Sequence, residues 1–214
     1  MQTSWERTLL SGFAVLLFGC SSGDSPTGGG GGGDVESAWT VFTAGDDAQA
    51  RTLFADIVAD DPRSGAAQLG LGWTTLTTAS DVQGLGDAVD AFDAALANGA
   101  SATDTHAGRA FALLALGSRH EDAVADVQAV FDAESDYAFS RRPSIGRVQL
   151  DLVLAASRFA AGDVDGALAA CDAIEASRLD AADASSWRLE GVPFSTFEAA
   201  VAARIADVAG RIPR

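Results

Sequence analysis

Few side chains in this sequence are equipped for chemistry. His106 and His120 fall on separate segments, and neither has Cys, His or Asp neighbours at a spacing that would hold a metal. Both read as solvated helix residues. Cys171 lies in an apolar helical stripe and reads as a small buried hydrophobe rather than a nucleophile. No Gly-x-Ser-x-Gly turn, His-Glu-x-x-His helix or paired-carboxylate pattern is present. Asp163, Asp165, Gly166 and Asp172 match positions 3, 5, 6 and 12 of a calcium loop. Position 1 is Ala161, however, and Asp stands where Glu normally supplies two oxygens. A turn followed by a helix cap accounts for the same residues. The sequence therefore predicts no catalytic residue, no metal and no cofactor.

The residues better suited to binding sit in one irregular stretch, Asp132 to Pro143, DAESDYAFSRRP. It holds the only tyrosine, Tyr137, then Phe139, then the only adjacent arginine pair, Arg141 and Arg142. Aromatic residues beside arginine are what protein interfaces favour. Two readings stand together here. The loop reads an acidic motif or a carboxylate on a partner, or the aromatics tuck under the helices while the arginines neutralise nearby aspartates. Trp73 is a further candidate contact, with a packed core tryptophan as the alternative.

These residues must be positioned by helices. The chain is alanine-rich and lacks β-branched runs, and proline is confined to boundaries. Gly45 to Pro62 shows the pattern best. Asp46 or Asp47 caps the first amides. Ala50, Phe54, Ile57 and Val58 then form one apolar stripe, and Asp61-Pro62 stops the helix. A helix this short needs neighbours. The small–bulky–apolar spacing of Ala50, Phe54 and Ile57 recurs as Ala88, Phe92, Ala95, as Ala123, Val127, Val130, and as Ala167, Cys171, Ile174. Turn-formers precede each: Gly45-Asp46, Gly86-Asp87, Gly117-Ser118 and Gly162-Asp163. Another helical segment precedes each turn, at 35–44, 63–78, 103–116 and 144–161.

This pattern resembles the tetratricopeptide repeat (TPR), in which a small residue, an aromatic four later and a small or apolar residue seven later mark the second helix. Leu71-Gly72 falls where the next first helix should carry Leu-Gly, and Gly162 to Ala167 matches the turn between helices. The units are longer than the family period of about 34 residues, and the third and fourth lack the closing proline. The resemblance implies an all-α, right-handed α-solenoid of four helical hairpins over 35–177. It also implies a protein or peptide partner in a concave groove lined by first helices, where Trp73 would lie. Gly70 and Gly72 each cost about 1 kcal/mol of helix propensity, so close packing must compensate. Residues 178–214 read as a polar linker and a capping helix at about 195–209, with Ser195 to Glu198 at capping-box spacing. Phe194, Phe197, Val201, Ile205 and Val208 form its stripe.

Ahead of the repeats, Leu9 to Phe18 is an apolar run too short to span a bilayer and reads as a signal-peptide core. Leu17 to Cys20 resembles the bacterial lipoprotein box, with residues 1–19 removed and Cys20 acylated, palmitate included. Ser21 after it fits outer-membrane sorting. Residues 20–34 hold six consecutive glycines and read as a membrane tether, with a reach near 45–50 Å for about 14 residues. With Cys20 carrying lipid, Cys171 has no disulfide partner. All basic residues are arginine, and the net charge is −16, opposite in sign to what nucleic acid requires. The expectation is a lipid-anchored, non-catalytic scaffold for an envelope protein or peptide. A small-molecule-binding accessory of an envelope transport system is the alternative, and it would need an enclosed polar pocket.

Overall fold

The structure, a computed structural model, describes residues 34–212; the signal segment, Cys20 and nearly all of the glycine tether lie outside them. Local capping chemistry sets most helix starts. Helix α1 (Val35–Thr43) begins at Asp34, α2 (Asp47–Asp60) at Asp46 and α3 (Gly65–Thr78) at Ser64. Helix α4 (Val82–Ala97) begins at Asp81 and α5 (Ala102–Leu116) at Ser101, and in all five the capping side chain accepts a first-turn N–H. Helix α6 (His120–Ala133) instead starts from left-handed Arg119. At α7 (Arg147–Ala160) the Gly146 N–H donates to Gln149 Oε1 at 3.0 Å. Asp163 caps α8 (Val164–Ile174), and Thr196 caps α9 (Phe197–Arg211).

The helices pair as α1/α2, α3/α4, α5/α6 and α7/α8. The first helices of successive hairpins touch one another, and α9 covers both α7 and α8. This is an all-α solenoid of TPR-like hairpins closed by a terminal helix. The repeated stripe supplies the core: Ala50, Ala88, Ala123 and Ala167 are wholly buried, as are Phe54, Phe92, Val127 and Cys171 four residues later. The two phenylalanine rings need holes on the facing helices, and glycine makes them. A Cβ at Gly70 would lie 2.3 Å from the Phe54 ring, and one at Gly108 would lie 2.3 Å from the Phe92 ring. Helix propensity is given up there for close approach.

Two sequence expectations are corrected, and the polar linker gains local detail. Gly86-Asp87 is not a turn but lies inside α4, because Asp81 caps that helix a turn earlier by accepting the Gly84 N–H at 2.8 Å. Thr196 rather than Ser195 caps α9, accepting the Ala199 N–H at 3.1 Å. The polar linker is also not featureless. It carries a short 3-10 turn (Ala184–Ser186) and a two-residue antiparallel pair, β1 (Arg188–Leu189) with β2 (Val192–Pro193). Glu190 and Gly191 between them both have positive φ, as a tight hairpin turn requires.

Candidate functional site

The connection from α6 to α7 is a strap, residues 134–146, laid on the layer of first helices. Its backbone folds on itself. Phe139 N donates to Ile145 O (2.8 Å), Arg142 N to Phe139 O (2.9 Å) and Ile145 N to Arg142 O (2.9 Å). Side chains then dock it across about a hundred residues of chain. Phe139 stacks on Trp73 of α3, with centroids 4.5 Å apart and an interplanar angle of 16°. Its other neighbours are Trp39 and Phe42 of α1, at 6.0 and 6.3 Å. Tyr137 donates its hydroxyl to Asp104 Oδ1 at the start of α5 (3.0 Å). Burial, together with the nearby Asp104 charge, raises the phenol well above its usual range, so it stays a neutral donor.

The two arginines face carboxylates of this chain. Arg141 makes a bidentate pair with Glu36 (2.7 and 2.9 Å) and lies over the Trp39 ring. These hydrogen bonds hold the Glu36 carboxyl below its ordinary value. Arg142 bonds Asp47 Oδ1 at 2.6 Å and the Phe42 carbonyl at 3.2 Å, with its guanidinium carbon 4.0 Å from the Phe42 ring centroid. At the far end of the strap, Arg147 donates to Ser135 O and Asp151 and covers Phe131.

Trp73, Tyr137 and Phe139 therefore take the second of their two readings, a packed core tryptophan and aromatics tucked under the helices. They are 0, 2 and 1 % exposed and present no surface, because the chain's own strap fills the inner face where an open groove was expected. Arg141 and Arg142 remain part-exposed at the rim. Trp39, Phe42, Glu36, Asp47 and Asp104 complete the site and were not foreseen. Their only sequence signal is an acidic, aromatic first hairpin, and nothing local says what it faces. The Trp73 indole N–H is buried and has no acceptor among the described residues, a cost for a group that normally finds a partner.

The groups capable of chemistry lie elsewhere. His106 Nδ1 lies 2.7 Å from Asp126 Oδ1, and Arg109 holds both Asp126 oxygens (2.7 and 2.8 Å) as well as Asp93. This cluster ties α4, α5 and α6 together and pairs an otherwise costly buried carboxylate. Its hydrogen bonds raise the Arg109 guanidinium further above its ordinary value. His120 is part-buried, and desolvation lowers its pKa. Burial pushes the Cys171 thiol up to about 12, leaving no thiolate at neutral pH. Asp163 accepts the Gly166 N–H and Asp172 accepts the Ser177 N–H, so these carboxylates cap backbone rather than converge. Among the described residues no group of three or more His, Cys, Asp or Glu is placed to hold a metal.

Stacked hairpins with a looped segment seated on their first helices define an α-helical repeat fold of the TPR-like type. A thermophilic TPR protein of Thermus thermophilus is similar in structure, with a TM-score of 0.50 and 18 % identity over 82 % of this chain and 81 % of that one. That similarity shows the fold. No family model matches the chain, and no curated protein matches it.

Proposed function

We propose that this protein is a non-catalytic, lipid-anchored scaffold of the bacterial cell envelope that holds a protein or peptide partner on the inner face of its helical stack. One observation carries the binding half of this reading. The face of α1 and α3 already holds a looped, aromatic- and arginine-bearing segment by stacking and ion pairs. A surface that holds one such segment has the shape and charge to hold another. The anchoring half rests on the lipoprotein-like Leu17 to Cys20 and the glycine tether after it. It is compatible with the finding that no helix among the described residues is long and apolar enough to cross a membrane. Ser21 after the cysteine is compatible with an outer-membrane address.

Two measurements test the halves separately. Cys20→Ser should move the protein from the membrane to the soluble fraction; a soluble wild type would remove the anchor. Crosslinking in intact envelopes should join one specific envelope protein to residues of α1 or α3. Loss of that adduct in a Glu36→Lys, Asp47→Lys variant is the expected result. An adduct mapping only to the outer, second helices would refute the inner-face assignment.

A further inference from the structure

The strap buries Tyr137, Phe139 and Ile145 in the core, yet it is held there by side chains and not by backbone pairing to any helix. Every backbone–backbone hydrogen bond within 137–145 closes on the strap itself. Its hold on the first two hairpins comes from three side chains: Phe139 against Trp73, Trp39 and Phe42, Arg141 on Glu36, and Arg142 on Asp47 and the Phe42 carbonyl. Such a segment can leave without breaking a helix, at the cost of the Tyr137–Asp104 hydrogen bond and the burial of Ile145. What it leaves is an aromatic slot with a carboxylate at each side and an indole N–H still in need of an acceptor.

We propose that the slot formed by Trp39, Phe42 and Trp73, edged by Glu36 and Asp47, recognises a turn-forming peptide in which an aromatic residue is followed two and three positions later by arginines, as in the self-closed loop of the strap. The strap is the in-cis occupant that such a peptide displaces. This deepens the scaffold reading and rests on it. The spacing is that of Phe139, Arg141 and Arg142, and the chemistry fits both parts. The aromatic ring stacks on Trp73, and the guanidiniums pair with carboxylates while lying over rings. The net charge of −16 favours encounter with a basic segment over an acidic one. The tethered strap competes at high effective concentration, so a partner binds only where its own affinity or local concentration exceeds that competition.

The test is a fluorescein-labelled peptide with the sequence of Glu134 to Ile145, ESDYAFSRRPSI, titrated by anisotropy into the full chain and into an Arg141→Ala, Arg142→Ala variant. The variant should bind at least about tenfold more tightly than wild type, because the occupant has lost its ion pairs while the slot is unchanged. A peptide with both arginines replaced by alanine should lose that gain. In wild-type protein, saturating peptide should speed hydrogen exchange of the 137–145 amides. This readout decides alone if the variant loses its helical circular dichroism. Equal binding by the two proteins, equal binding by the arginine-free peptide, or unchanged strap exchange would overturn the proposal. An inner-face envelope adduct without peptide binding refutes the motif and leaves the scaffold. Peptide binding without any envelope adduct does the reverse.

Discussion

The two ends of this solenoid are closed by different devices. At the N-terminal end, α1 and α2 are pinned by a strap that arrives from between the third and fourth hairpins. At the C-terminal end, α9 is pinned by its sequence neighbour. Arg204, 5 % exposed, donates Nη2 to the Glu175 carbonyl (2.6 Å), the C-cap carbonyl of α8, and Nη1 to Asp207 (3.0 Å). Arg211 adds contacts to Glu175 and Asp207. A guanidinium on the last carbonyls of a helix satisfies an orphan acceptor and suits the negative end of the dipole. The C-terminal closure is thus local, as expected of a repeat array in which each unit touches only the next. The N-terminal closure is not: it joins residues about a hundred positions apart in the chain.

Phe139→Ala is the sharpest way to break that contrast, at about 3–5 kcal/mol. It should lower the thermal midpoint and also raise hydrogen exchange in α1 and α3 together. An effect confined to the strap would show that the two ends do not differ in kind. Arg204→Ala should cost about 1.5–3 kcal/mol through lost charged hydrogen bonds. Its exchange signature should stay in α8 and α9, with α1 and α2 as protected as before.

A smaller effect is expected at His120, which sits in neither closure. Its folded pKa lies below the ordinary value because burial disfavours the charged form. As pH falls below about 6.5 the unfolded chain takes up a proton that the folded chain declines, so stability drops with a slope below about 1.4 kcal/mol per pH unit. His120→Gln should flatten urea-midpoint-versus-pH curves between that value and the lower folded one. An unchanged slope would assign the acid loss to other groups. Smallest is Arg141→Ala, whose pair with Glu36 is open to solvent. A small loss that fades with salt is expected, and a loss comparable to that at Phe139 would mean the arginine, not the ring, holds the strap.

How far each closure was legible follows from its range in sequence. The α9 stripe of Val201, Ile205 and Val208 is readable, and all three are buried. Phe54 and Phe92 could be placed in the core by spacing alone, and Gly70 and Gly72 could be read as sites of close packing. Gly108, which admits the Phe92 ring from the far side, carried no such sign, because its partner lies on another helix. The strap's residues were conspicuous as types, yet whether they faced outward or inward was undecided. An aromatic beside arginines looks the same in sequence whether its carboxylates lie on a partner or on α1 of the same chain.

By itself the sequence determined the helical periods, the caps, the recurring small–bulky stripe and hence the stacked-hairpin class, since all of these depend on residues within one or two turns of each other. Only the tertiary structure decided that the inner face is filled by 134–146, that Glu36 and Asp47 are the arginines' partners, and that Arg204 seals α8. Those contacts depend on how successive hairpins turn relative to one another, an angle set by side-chain packing across interfaces that no local pattern encodes.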